Sequence, residues 1–332
     1  MARSDVIQVV TLSPAVDITY EATEVTLGQA HRVTRVSSHA GGKALNVARI
    51  LHTLQVPVRL VLPLGGHRGD WVVSELEGLG IPNSVVPAPR ETRTCLTVVD
   101  VASATATEFN EQPPELDEKS LQGIVHALQD ADITIVSGSV HDSLVGLGWE
   151  HLLMSAKKCS STLIVDTSGG ALAAARLYAD YLKPNARELA SVTGLSDEVS
   201  AVRILAPATI LVSKAEGGAT LYGPEILTAS APHRVGNPTG AGDALVAGFA
   251  ARLAQGHREA LRFGVAVAAA SVSSPVAGEV DGEDAAGEEG AGGDGERSWS
   301  SAAELGSPPA ATRRLPPRSR VATPRRSARA GG

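Results

Sequence analysis

The sequence predicts an α/β fold: a mostly parallel central sheet flanked by helices, with a small antiparallel β lid at its edge. Three observations carry that prediction. From residue 6 to about residue 277, short β-branched runs alternate with longer segments of helical apolar spacing. Two segments rich in Thr and Val interrupt that rhythm, and glycine-rich stretches stand where strands give way to helices.

In chain order, residues 6–12, 58–62, 133–137, 162–166 and 209–213 read as buried strands, because continuous apolar runs suit strands covered on both faces. Residues 44–54, 71–79, 121–128, 144–157 and 186–193 read as helices. Residues 18–37 and 94–110 alternate polar with apolar side chains and are expected as the lid strands. After residue 280 the composition changes. Residues 281–296 are Gly, Ala and acidic; residues 307–332 are Pro, Ala, Ser and Arg. Such sequence cannot offset its ordering entropy, so residues 1–280 are expected as the folded domain and 281–332 as a disordered tail. The Arg-rich end has no structured basic face. It reads as an extension foreign to the fold rather than a nucleic-acid arm, and GC-rich DNA encodes these residue types in almost any frame.

Composition narrows the function classes. The 332 residues, 43% hydrophobic, allow one substantial core, and 3% aromatic content leaves Val, Leu, Ile and Ala to build it. A net charge of −7 gives no bulk reason for a nucleic-acid or membrane partner. The N-terminus has no apolar signal core and no stretch is long enough to span a bilayer, so a cytoplasmic protein is expected. Cys95 and Cys159 lack CxxC spacing and are expected as reduced packing residues.

Four motifs carry chemistry. In GNPTGAGDA (236–244) small residues let the backbone turn sharply before an apolar helix, so that N–H groups and the helix dipole converge on one point. Asp243, in the first helical turn, is placed to accept a hydroxyl proton. Alone, the segment reads equally as a plain strand-to-helix turn. In GGKALN (41–46) bare backbone at Gly41 and Gly42 permits close approach of a sugar ring, and Lys43 and Asn46 fall one turn apart on one face. A tight helix entry explains that segment as well. It matches neither GxxxxGK[ST] nor GxGxxG. TLSPAVD (11–17) ends a strand and presents Asp17, either to sugar hydroxyls or to turn amides. In KPNARE (183–188), Asn185 and Glu188 share a helix face. They suit a water-mediated Mg²⁺ site, a capping box, or both.

Together with VSGS (136–139) and VDTSG (165–169), these motifs in this order resemble the PfkB (ribokinase-like) carbohydrate kinases, nearest the 1-phosphofructokinase and tagatose-6-phosphate kinase branch. The resemblance implies a ribokinase-like three-layer fold and ATP-dependent phosphorylation of a sugar phosphate. Fructose 1-phosphate is the expected acceptor, with tagatose 6-phosphate or fructose 6-phosphate, or a pseudokinase, as alternatives. It implies Asp243 as catalytic base and Gly240, Ala241 and Gly242 as its anion hole. Asp17, Gly41, Gly42, Lys43, Asn46, Arg93 and Ser139 match substrate-binding positions, with Lys43 and Arg93 on the phosphate that the sugar already carries. Lys183, Asn185, Ser213, Ala215 and Gly218 match nucleotide positions, and Asn185 and Glu188 the Mg²⁺ site. A homodimer through the lid is a further implication.

The departures are specific. SKAEGGA (213–219) has Ala215 where the family has glycine, a strained choice if the position needs φ > 0, and Lys214 adds a charge near the triphosphate. Ala44 stands where glycine is common. The final strand and helix of the family are expected to be missing, with low-complexity sequence in their place.

Overall fold

The fold is described from a computed structural model covering residues 6–280, apart from 104, 233, 235 and 275 and the side chain of 216. The expectations for 281–332, including the tail and the missing last strand and helix, lie outside the described residues. In chain order the elements are β1 (Ile7–Val10), β2 (Ala15–Ala22), β3 (Arg35–Gly41), α1 (Lys43–Thr53), β4 (Val58–Leu64), α2 (Gly66–Leu79), β5 (Asn83–Pro87), β6 (Arg93–Asp100) and β7 (Thr105–Asn110). Then come α3 (Glu118–Ala127), β8 (Ala131–Ser137), α4 (Leu147–Cys159), β9 (Ser160–Asp166), α5 (Gly169–Ala175), β10 (Tyr181–Leu182), α6 (Ala186–Thr193) and α7 (Glu198–Ile204). The last are β11 (Thr209–Ser213), β12 (Ala219–Tyr222), β13 (Ile226–Ala229), α8 (Ala241–Arg252) and α9 (His257–Val272).

Among the described residues the central sheet has the order β13-β12-β11-β10-β9-β8-β1-β4-β5. It is parallel from β5 through to β11 and antiparallel only in the closing β11-β12-β13 meander. Because successive strand side chains point to opposite faces, Val9 joins one core while Val10 joins the other, and Leu60 and Val61 divide the same way. Helices α1, α2, α8 and α9 cover the first face; α3 to α7 cover the second. Three layers result. Two of the few aromatics are used at depth: Trp149 and Phe249 are fully buried, and Trp149 Nε1 donates to the Ala171 carbonyl at 2.9 Å. Phe249 alone is worth about 2–3 kcal/mol of burial. Gly248 lets α8 approach α9, since a Cβ there would lie 2.8 Å from Gly264 Cα.

The lid is a separate four-stranded sheet, β3-β2-β6-β7. Its outer pairings are antiparallel, but β2 and β6 run parallel, a detail the alternation pattern did not reveal. The chain crosses through α1, β4, α2 and β5 between them, and a crossover of that length suits parallel strands. Strand structure stops at Ala22 and resumes at Arg35, so the first lid segment is two strands rather than one continuous run. Four strands of the central sheet went unpredicted. Two-residue β10 is too short to show a pattern, and β12-β13 hide either side of the turn signal Gly223-Pro224.

Candidate active site

Strand order reverses at β1, whose neighbours are β4 on one side and β8 on the other. Ligands of open α/β sheets bind beyond the carboxyl ends of the strands at such a point. There the structure concentrates unpaired polarity. Among the described residues, the buried side-chain atoms without a hydrogen-bond partner are Ser13 Oγ, Asp17 Oδ1, His39 Nε2 and Arg93 Nε toward the lid, and Asn46 Oδ1, Ser137 Oγ, Asp166 Oδ2 and Thr167 Oγ1 at the sheet ends. Each orphan costs about 1–3 kcal/mol, and a fold that keeps them all in one region is arranged for a polar ligand.

On the lid side, β2 carries Asp17 between His39 of β3 and Cys95 of β6. Asp17 Oδ2 accepts the Gly42 N–H at 3.2 Å, so the turn-amide role and an open Oδ1 coexist. Burial pushes the Asp17 carboxyl up, against the Gly42 hydrogen bond and the charge of Arg93. His39 Nε2 stands 3.9 Å from Asp17 Oδ2. Burial, with Arg49 nearby, pushes its imidazole down to about 4, so the ring beside Asp17 is neutral. Gly41 is required: a Cβ would lie 2.1 Å from the Asp17 carboxylate carbon. Arg93 donates to the carbonyls of Glu111 and Ser13 at 2.9 and 3.3 Å. Both cysteines are free, and burial pushes the Cys95 thiol up to about 11.

At the sheet ends, Gly240 (φ 84°) caps α8, and the N–H groups of Ala241 and Asp243 donate to the carbonyls of Pro238 and Gly240 at 3.2 and 3.0 Å. Asp243 is 5% exposed, and its Oδ2 accepts from Asn46 Nδ2 at 2.9 Å. Burial, then the negative charge of Asp166, pushes Asp243 up to about 7, while Lys43, Asn46 and Lys183 pull the other way. Asp166, fully buried at the end of β9, holds both lysines on one oxygen: Lys43 Nζ at 3.2 Å and Lys183 Nζ at 3.3 Å. Burial opposes the Lys43 charge, but Asp166, Glu188 and Asp243 outweigh it and raise its pKa. Lys43 Nζ also sits 3.6 Å from Glu188 Oε1, so Lys43 faces the sheet ends rather than the lid. Lys183 Nζ lies where a Cβ on Gly242 would meet it at 2.9 Å. Ser139 follows Gly138 (φ 117°) and is half-buried at the end of β8.

Asn185 and Glu188 form a complete capping box: Asn185 Oδ1 accepts the Glu188 N–H at 2.9 Å, and Glu188 Oε2 accepts the Asn185 N–H at 2.8 Å. Beyond β11, Ser213 leads into a 3₁₀ turn at Ala215–Gly217, where Ala215 has φ 47°. The strain expected of an alanine there is present, about 1–2 kcal/mol. Gly218 (φ 75°) cannot be replaced cheaply, since a Cβ would meet the Ala229 carbonyl at 2.1 Å. Lys214, expected to add a charge near the triphosphate, pairs with Glu198 at 2.7 Å.

Residues 10–283 match the pattern of pfkB family carbohydrate kinases. The chain belongs to that family. A carbohydrate kinase is a phosphotransferase with an alcohol group as acceptor and ATP as donor. The kinase is 28% identical over 286 residues to 1-phosphofructokinase of Bacillus subtilis, covering 81% of this chain and 93% of that one. Its fold is similar to phosphofructokinase-2 of Escherichia coli in complex with fructose-6-phosphate, with TM-score 0.78 and 26% identity over 88% of this chain and 99% of that one. It also shares a fold with Arabidopsis thaliana ribokinase (TM-score 0.68, 23% identity, 87% and 99% covered). No helix among the described residues is long and apolar enough to cross a membrane.

Sequence reasoning assigned no role to Asp166, Ser13, His39, Ser137 or Thr167. Asp166 stood inside the quoted VDTSG, and an acid at a strand's carboxyl end was the available signal. His39 carried none, because its place opposite Asp17 depends on register between β2 and β3.

Proposed function

We propose that this kinase transfers the γ-phosphoryl group of MgATP to a sugar phosphate, with fructose 1-phosphate as acceptor and fructose 1,6-bisphosphate as product. The observation that carries the reading is Asp243: a buried carboxylate in the first turn of α8, hydrogen-bonded to Asn46 and flanked by Lys43, Lys183 and Asp166. A base with pKa near 7 is half-ionised at working pH and takes a hydroxyl proton efficiently as attack begins. The sugar lies between Asp17 Oδ1, Ser13 and His39 on one side and Asn46 Oδ1 on the other, filling their open hydrogen-bonding positions.

Arg93 holds the phosphate that the acceptor already carries, through a guanidinium whose Nε is buried and unpartnered. Lys43, expected at that phosphate, is assigned in this proposal to the transferring group, because its ammonium lies beside Asp166 and Glu188. Together with Lys183 it places two ammonium groups where charge spreads over equatorial oxygens. The N–H groups of the Gly240–Gly242 turn add to them, that of Ala241 once the group in transfer draws it from the Pro238 carbonyl. Lys183, Asn185, Ser213, Ala215 and Gly218 line the route of the nucleotide beyond β10 and β11.

Among the described residues no cluster of three or more Asp, Glu, His or Cys side chains is placed to hold a metal ion. Magnesium fits here as an ion shared with the nucleotide phosphates, for which one or two carboxylates suffice. Asp166, with its free Oδ2, and Glu188 are those carboxylates; Asn185, whose Oδ1 caps α6, is a support for Glu188. When bound, magnesium neutralises phosphate charge and aligns the donor. The homodimer through the lid would cover two exposed apolar side chains, Val36 of β3 and Phe109 of β7.

The test is a coupled ADP-release assay with fructose 1-phosphate, fructose 6-phosphate, tagatose 6-phosphate and free fructose side by side. The highest kcat/KM is expected with fructose 1-phosphate. A preference for free fructose, or no ADP released with any phosphorylated sugar, overturns the reading.

A further inference from the structure

Arg49 belongs to none of the groups placed on substrate, yet it is 8% exposed and its guanidinium touches three separate parts of the chain. It lies one turn beyond Asn46 on α1. Nη2 donates to the Ala40 carbonyl at 2.6 Å and stands 3.7 Å from Glu75 Oε1 on α2. Glu75 Oε2 accepts the Ala40 N–H at 2.8 Å. Both backbone groups of Ala40, the residue before Gly41 and Gly42, are therefore fixed by one ion pair. On its other arm, Nη1 donates to the Ala277 carbonyl at 3.2 Å.

Ala277 and Gly278 form the shelf under the catalytic turn. A Cβ on Gly240 would sit 3.1 Å from Ala277 Cβ, and one on Gly278 would sit 2.7 Å from Asn46 Oδ1. The segment holding Asp17's partner Gly42 and the segment backing Gly240 thus both bond to one planar fork.

We propose that Arg49 is a positioning residue that couples the sugar-binding turn Gly41-Gly42 to the phosphoryl-transfer turn at Gly240, setting the distance between acceptor hydroxyl and Asp243. This rests on the kinase reading above. A guanidinium suits the task because its fixed fork reaches two carbonyls on different segments from two nitrogens, whereas a lysine keeps the charge but gathers its donors on one atom. Misplacement of reacting groups by an ångström costs about a hundredfold in rate.

The test compares the parent with Arg49→Lys, which retains the charge opposite Glu75. The expected variant melts within a few degrees of the parent. Its amide hydrogen exchange accelerates in both segment 38–46 and segment 276–280, which report local opening. With fructose 1-phosphate its kcat falls at least about tenfold and the sugar-phosphate KM rises, while the KM for ATP stays at the parental value. Loosening of only one segment overturns the proposal, as do unchanged kinetics or a common loss of melting temperature, kcat and both KM values. If the parent releases no ADP with any sugar phosphate, the kinase reading fails on its own, and the exchange of the two segments still decides the role of Arg49.

Discussion

Two glycine turns lead into helices at this site, and they differ in what they press against. Gly42 (φ 90°) opens α1 and Gly240 (φ 84°) opens α8; neither helix has a side-chain cap. Both helix starts therefore offer uncapped N–H groups and the positive end of a dipole. At the first, the Asp17 carboxylate already accepts the Gly42 N–H, and bare Gly41 lies against that carboxylate. At the second, the neighbours are the Ala277–Gly278 backbone and the Lys183 ammonium. A turn with its own carboxylate suits neutral hydroxyls, whereas a turn beside the Lys183 ammonium suits an anion. On the proposed reading, the same backbone device would serve recognition at one end of the cleft and charge stabilisation at the other.

The difference can be broken by adding a methyl group. Gly41→Ala must displace the Asp17 carboxylate, which a Cβ would meet at 2.1 Å. We expect the sugar-phosphate KM to rise about a hundredfold, the loss of a charged hydrogen-bonding group, with little change in the KM for ATP. Gly242→Ala meets the Lys183 ammonium at 2.9 Å, a looser contact than 2.1 Å, and should cost less. Steady-state kinetics on the pair would show whether the first turn is the stricter one; equal losses would remove the distinction.

The pH dependence sharpens it. Asp243 must be ionised to act, so kcat/KM should rise with pH and level off above about 7. Lys43 favours the carboxylate, so Lys43→Met should move that limb to higher pH, as a pH–rate profile would reveal. Stability runs the other way. The folded pKa lies above the ordinary 3.8, so the folded state holds the proton more tightly and stability falls as pH rises through about 7. The smallest effect belongs to the nucleotide loop. Ala215→Gly relieves a left-handed alanine at φ 47° and should stabilise the fold by about 1 kcal/mol in denaturant melts, less the entropy of a freer unfolded chain.

What could be read without coordinates follows from how local each feature is. Both glycine turns, the capping box and the long buried strands are written in consecutive residues, and the strain at Ala215 was legible as an alanine in a glycine position. The contacts of Asp166 and Arg49 were not. Lys43 meets Asp166 across 123 positions and Arg49 meets Ala277 across 228, and no local period encodes such contacts. The direction of Lys43 was likewise set by packing: α1 starts at that residue, and the dense acids at the sheet ends attract its ammonium.

The central claim is that Asp243 is the base, and the most direct measurement is ADP release by Asp243→Asn beside the parent with the same sugar phosphate. Asparagine keeps the shape and a hydrogen-bonding oxygen for Asn46 but cannot take the proton. The account expects a folded protein, at least as heat-stable as the parent at pH 8, with kcat lower by about a thousandfold. A folded Asp243→Asn enzyme turning over at the parental rate would contradict it.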